Sequence, residues 1–208
     1  MNVSDPAELV RRGYDDLSQR YRGDDDAPAE YAPWLDDLQR RLPARASVLD
    51  LGCGCGIPVA KAVAGHGHQV TGVDLSAVQI DRARRLVPQA TFVQADATRV
   101  EFPGDSFDAV VCLYALIHMP LEAQPRLLQR IAGWLRPGGI LLATTGAQEW
   151  TGTQNRWLGG TVPMWWSHAD AATYREWIIQ AGLHIESERF VPEGDSGHQL
   201  FWARRPLH

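Results

Sequence analysis

The sequence predicts an α/β protein, a seven-stranded, mostly parallel sheet with helices on both faces and a C-terminal antiparallel hairpin. Three observations predict it. Short apolar runs alternate with helix-like segments from Ser47 to Ala181, and parallel strands need such crossovers. The first run, Val48-Leu49-Asp50-Leu51, opens into a glycine loop, Gly52-Cys53-Gly54-Cys55-Gly56. The last two β-like runs, Leu183 to Val191 and His198 to Arg204, flank Glu193-Gly194-Asp195-Ser196-Gly197, which is the composition of a hairpin turn.

The elements follow in order. Pro6 to Arg22 reads as a helix with Leu9, Val10, Tyr14, Leu17 and Tyr21 along one side. Gly23-Asp24-Asp25-Asp26 reads as a solvated turn. Tyr31, Trp34, Leu35, Leu38 and Leu42 mark an amphipathic helix closed by Pro43. Strand one is Ser47 to Leu51, followed by the loop and a helix from Ile57 to about Ala64. Gly65-His66-Gly67-His68 reads as a turn with both histidines exposed. Strand two, Gln69 to Val73, ends in Asp74. An acid about 20 residues past a glycine loop, at the end of the next strand, is placed to accept both ribose hydroxyls of an adenosine. Ser76 and Gln79 form a capping box ahead of Ile80, Ala83 and Val87.

Strand three, Thr91 to Gln94, leads into Ala95-Asp96-Ala97, and strand four, Phe107 to Cys112, into Leu113-Tyr114-Ala115-Leu116-Ile117-His118. A helix with Leu127, Leu128, Ile131 and Trp134 stops at Leu135-Arg136-Pro137-Gly138-Gly139, before strand five, Ile140 to Thr145. From Gly146 to Ser167 periodicity fails, and glycines and four tryptophans (Trp150, Trp157, Trp165, Trp166) suggest a lid or binding loop. Ser167 to Ala181 reads as a helix opened by a Ser167/Asp170 capping box and stopped at Gly182.

The glycines run G-x-G-x-G behind Asp50, not in the G-x-G-x-x-G spacing of dinucleotide sites. With Asp74, Asp96, the Leu-Arg-Pro-Gly-Gly turn and the terminal hairpin, this pattern resembles the class I S-adenosylmethionine (SAM) dependent methyltransferases, of small-molecule type. The resemblance covers most of Asp50 to Arg204. It implies a Rossmann-like fold, SAM as cofactor and S-adenosylhomocysteine as product. The methionine part would lie over Gly52, Cys53, Gly54 and Gly56, the ribose on Asp74 and the adenine beside Asp96, with Leu75, Ala97 and Leu113 also in the cofactor site. Tyr14 and Tyr21, two turns apart on the first helix, match the helix that caps the SAM pocket in many relatives; packing that helix on the core is the plainer role for both.

Whole-chain features bound the rest. At 208 residues the chain, 1–208, suits one domain, with 1–45 as a helical cap and 146–168 as a Trp-rich substrate loop. A formal net charge of −5 without a basic cluster argues against nucleic acid as partner. No run approaches a membrane span, and Met1 to Asp5 lacks the features of a leader, so the expectation is a cytoplasmic monomer or homodimer acting on a small molecule. Cys53, Cys55 and Cys112 read as small apolar residues in a reducing compartment.

The acceptor is expected to sit against Tyr114, Trp150, Trp165 and Trp166. His118 and His168 are the candidate general bases, since histidine titrates near neutral pH; a helix cap for His118 and plain exposure for His168 stand as alternatives. No acidic ligands sit near strands four and five, so no metal is expected. After strand four the chain has Leu113-Tyr114-Ala115-Leu116 where DNA amino-methylases carry Asn/Asp-Pro-Pro-Tyr/Phe, which points to a metal-free methyl transfer to N or O of a small molecule. Two other readings remain open, a non-catalytic SAM-binding domain and a nicotinamide-dependent oxidoreductase.

Overall fold

A seven-stranded sheet in the order β3-β2-β1-β4-β5-β9-β8 forms the centre of the computed structural model, which describes residues 5–26 and 28–207. Met1–Ser4, most of the segment read above for a leader, lie outside the described residues. Strands β1 (Ser47–Leu51), β2 (Gln69–Asp74), β3 (Thr91–Gln94), β4 (Phe107–Cys112) and β5 (Leu135–Gly146) pair in parallel, while β9 (Ser196–Arg204) runs antiparallel to β5 and to β8 (His184–Glu193). The central strands are apolar on both faces because both are covered: Leu49, Val110 and Leu141 are fully buried, and so are Val48, Ala109 and Leu142.

One face packs under α5 (Gln124–Trp134) and α6 (Ala171–Gln180) through Leu127, Ile131, Tyr174 and Ile178. The other packs under α2 (Ala32–Arg41), α3 (Val59–Gly65) and α4 (Ala77–Leu86) through Trp34, Leu38, Val63 and Ile80. Helix α1 (Pro6–Tyr21) starts at Asp5, whose carboxylate accepts from the Ala7 amide at 3.1 Å, with Pro6 in the first turn where no amide is needed. It crosses the ends of the strands: Asp15 accepts from Ser76 beyond β2, Asp16 from the Thr161 amide at 2.8 Å, and Ser18 donates to Gln79 on α4 at 2.8 Å.

Several expectations need correction. The segment after β5 is not an irregular loop: β6 (Trp150–Gln154) and β7 (Met164–His168) form an antiparallel ribbon, with Trp150 opposite His168 and Thr153 opposite Trp165. Strand β6 is exposed at four of its five positions, so it has no buried face to impose a two-residue hydrophobic alternation. Ser167 therefore lies in β7, bonded to Thr151, and Asp170 alone caps α6, accepting from the Thr173 amide at 2.8 Å. The Ser76 box is half made: Ser76 Oγ accepts from the Gln79 amide, but the Gln79 side chain turns to α1.

His68 is buried, not exposed; its Nδ1 accepts from the Ala46 amide at 3.0 Å, and Nε2 faces the Gln39 carbonyl oxygen at 2.9 Å. The helix after the glycine loop begins at Val59, not Ile57. Strand β5 starts already at Leu135, opposite Phe107, then bulges at Gly138 (φ +79°) before pairing resumes at Ile140. The hairpin extends to a two-residue turn, Gly194-Asp195.

Candidate functional site

At the carboxyl end of β1 the chain turns on Gly52 and Gly54. Gly52 has φ +79°, and a Cβ there would lie 2.3 Å from that of Ala115, so no larger residue fits. Gly54 has φ +52° and nothing within 4 Å of where its Cβ would stand, so it bounds open space. The loop is tied to β2, since the Gly52 and Cys53 amides both donate to the Val73 carbonyl, at 2.7 and 3.0 Å. Asp74 finishes the turn: one carboxylate oxygen accepts from the Gly54 amide and the other from the Ser76 amide, each at 2.9 Å. Burial pushes the Asp74 carboxyl up from its ordinary range, and those two amides pull it back. Each oxygen keeps a lone pair for a further donor.

Above this floor lies a cavity of about 390 Å³. Gly52, Gly54, Asp74 and Leu75 line its base, Asp96, Ala97 and Leu113 one side, and Tyr14, Tyr21, Tyr114 and His118 the other. A hollow of about 40 Å³ adjoins it, sharing Tyr21, Gly52, Gly54 and Leu113, and is bounded also by Cys53, Asp50, Arg22 and Tyr31. Asp50 is buried with one carboxylate oxygen lacking any partner, and desolvation with the nearby Asp74 charge raises its pKa to about 7. Arg22 faces the same hollow, its buried Nε also without a partner. Asp96 accepts from the amide and hydroxyl of Thr98, at 2.8 and 2.7 Å, and so holds its own turn rigid.

The wall that carries Tyr14 and His118 is aromatic. Tyr14 meets Tyr21, His118 and Trp157 edge-on at 5.3, 5.3 and 5.8 Å between ring centres, and Trp166 lies 4.2 Å over His118. His118 is buried and held at both nitrogens, Nε2 to the Tyr14 hydroxyl at 2.9 Å and Nδ1 to the Trp165 carbonyl at 2.8 Å. Desolvation pushes its pKa down to about 4, against the pull of that carbonyl. His118 caps no following helix, and it is not free to meet an acceptor directly.

Gly56 lies outside the cavity and packs towards Val87 and Phe92. His168, at the end of β7, bonds Gln148 through Nδ1 at 2.7 Å and does not line the cavity. Neither do Trp150, which is exposed, nor Trp165 and Trp166, which stand behind His118. Trp157 is the tryptophan against both cavity tyrosines. Sequence reasoning did not single out Trp157 or Arg22 for the site. An arginine closing a helix is an ordinary dipole complement, and nothing local distinguishes one loop tryptophan from its neighbours. All three cysteines are buried free thiols, and burial pushes Cys112 up to about 12, so none is a ready nucleophile.

Comparison with known proteins agrees with this geometry. A family model described as a methyltransferase domain matches residues 48–139. The chain is 35% identical over 197 residues to the 27-O-demethylrifamycin SV methyltransferase of Amycolatopsis mediterranei, covering 86% of this chain and 70% of that one. It is 38% identical over 110 residues to sterol 24-C-methyltransferase ERG6B of Gibberella zeae, but spans only 27% of that protein's length. Among solved structures, the 1,6-didemethyltoxoflavin-N1-methyltransferase of Burkholderia thailandensis superposes with a TM-score of 0.73 at 21% identity, over 99% of this chain and 92% of that one. The [4+2]-cyclase SpnF does so at 0.74 and 22%, over 97% of each, which is a likeness of fold. The chain belongs to the class I S-adenosylmethionine-dependent methyltransferases.

Proposed function

We propose that this protein methylates an oxygen or nitrogen of a small organic acceptor, without a metal ion, in a chamber between the glycine-loop floor and the aromatic wall. The observation that carries this reading is one cavity with two unlike sides, backbone and carboxylate below, tyrosine and histidine above. SAM supplies an activated methyl on a sulfonium, so the protein's work is chiefly placement.

The residues present fit that group. Open space over Gly54 leaves room for the chain of an amino acid, and the unpartnered Asp50 oxygen and Arg22 nitrogen suit its ammonium and carboxylate. Asp74 offers its remaining lone pairs to the ribose hydroxyls, and Asp96, Ala97 and Leu113 bound the adenine. Tyr21 and Trp157 close the chamber and keep water from the reacting atoms. Among the described residues no three His, Cys, Asp or Glu side chains stand close enough to hold a metal ion. The relative from Amycolatopsis acts, by its name, at an oxygen, which supports a hydroxyl acceptor here.

The test is transfer of a labelled methyl from SAM to a panel of hydroxyl and amine compounds, with and without a strong chelator. Equal transfer in both arms is the expected result. No transfer to any acceptor, with SAM still bound, identifies a cofactor-binding domain without turnover. Chelator-sensitive turnover restored by magnesium refutes the metal-free reading.

A further inference from the structure

His118 is held at two points, and the identity of the partners settles where its proton sits. The Trp165 carbonyl can only accept, so Nδ1 carries the hydrogen; Nε2 is then a bare lone pair, and the Tyr14 hydroxyl donates to it. The Tyr14 oxygen therefore keeps its own lone pairs for the cavity that both residues line. An acceptor entering that cavity meets the phenol oxygen, because Nε2 is already occupied. Little freedom remains for either ring, since Tyr21 and Trp157 stand against Tyr14, and Trp166 covers His118.

We propose that the Tyr14 oxygen takes the acceptor's proton during methyl transfer while His118 Nε2 takes the proton of Tyr14, so that the site selects acceptors bearing a hydrogen on the attacking oxygen or nitrogen. This rests on the methyltransferase reading above. The attacking atom forms its bond to the methyl carbon as the methyl–sulfur bond breaks, and that electron pair stays on sulfur. The acceptor's proton moves to the Tyr14 oxygen, whose own proton moves to Nε2. The positive charge lost at sulfur reappears on the imidazolium, so the cavity's charge is unchanged.

Tyr14 is the catalytic residue and His118 a positioning residue that directs the hydroxyl and receives its proton. Burial holds the Tyr14 phenol well above its ordinary pKa, which disfavours a free phenolate and couples the two proton movements. The titratable groups facing the pair are Tyr21 from α1, Tyr31, Asp74 from β2, His168 from β7 and His198 from β9. A neutral resting imidazole does not oppose a cation bound beside it.

Nitrogen-15 NMR of the histidine-labelled, cofactor-free protein tests the arrangement without any acceptor, with His118 assigned by its loss in His118→Gln. The expected result at pH 7 is a protonated Nδ1 and a bare Nε2, with the Nε2 resonance shifting in Tyr14→Phe. A protonated Nε2 overturns the proposal, since Tyr14 would then accept and aim its hydrogen elsewhere. With 27-O-demethylrifamycin SV as hydroxyl probe, Tyr14→Phe is expected to lower kcat by ~10²-fold or more, while affinity for S-adenosylhomocysteine stays unchanged. An unchanged kcat overturns the proposal. If that probe is not turned over, the tautomer alone decides. Failure of the unaltered protein to bind S-adenosylhomocysteine strikes the methyltransferase reading instead, which separates the two claims.

Discussion

The floor and the roof of the cavity are built on different principles. The floor is backbone and carboxylate: amides of Gly52, Cys53, Gly54 and Ser76 are spent on the Val73 carbonyl and on Asp74, at the ends of parallel strands buried on both faces. The roof is side chain on side chain, with Tyr14, Tyr21, His118, Trp157 and Trp166 in edge and tilted contacts between α1, the segment after β4 and the β6–β7 ribbon. A floor made of main chain admits few substitutions, because its geometry depends on glycine torsions and one acid. A roof made of aromatic packing can change residue by residue and keep its shape. On the function proposed above, the cofactor belongs to the floor and the acceptor to the roof.

The comparison breaks most sharply at Gly54. A valine there would stand in the cavity itself and take an unfavourable torsion at φ +52°. Calorimetry is expected to show a loss of S-adenosylhomocysteine affinity of ~10²-fold or more while far-UV dichroism stays native. Normal binding would make the loop a mere turn.

Asp50 sharpens the comparison through stability. Its folded pKa, raised to about 7, exceeds the unfolded carboxylate value, so the folded state binds the extra proton. The group therefore costs nothing below about pH 4, destabilises increasingly as pH rises from there through 7, and reaches a constant penalty above that. Asp50→Asn is expected to raise the melting temperature of the cofactor-free protein by roughly 5 °C at pH 8 and to give no gain at pH 4. An equal effect at both pH values would mean that ionisation is not the cause.

The smallest effect belongs to the roof. Trp157→Ala removes edge contacts to Tyr14 and Trp166 and a tilted contact to Tyr21, each worth ~0.5–1.5 kcal/mol. It is expected to raise the acceptor KM by roughly fivefold, leaving S-adenosylhomocysteine affinity within about twofold. A larger loss of cofactor than of acceptor binding would erase the division between the two sides.

The floor could be read from residue order, since its parts are local. The G-x-G-x-G run ends one strand, Asp74 the next, and the apolar runs on either side mark buried parallel strands. The family match over residues 48–139 falls on this same half. The roof could not be read so, because its contacts join residues far apart in sequence. Tyr14 reaches His118 across 104 positions, and His118 reaches Trp165 across 47. Ribbon β6–β7 carries no alternation, so the sequence offered no ground for Trp157, and Trp150, Trp165 and Trp166 were expected at the acceptor instead, although Trp157 alone of the four stands against Tyr14 and Tyr21. Asp50 stood out in the sequence as the acid before the glycines, but its unpartnered oxygen, like the unpartnered Arg22 nitrogen, shows only in the structure.

The most direct test of the division is calorimetric titration of S-adenosylhomocysteine against the unaltered protein, Asp74→Ala and Tyr14→Phe side by side. Asp74 offers charge-assisted bonds worth ~1.5–3 kcal/mol each and also holds the Gly54 amide, so its removal is expected to weaken binding by ~10-fold or more. Tyr14→Phe is expected to leave affinity within about twofold, because its hydroxyl is engaged with His118. Equal losses in the two variants, or an unchanged affinity in Asp74→Ala, would contradict the account.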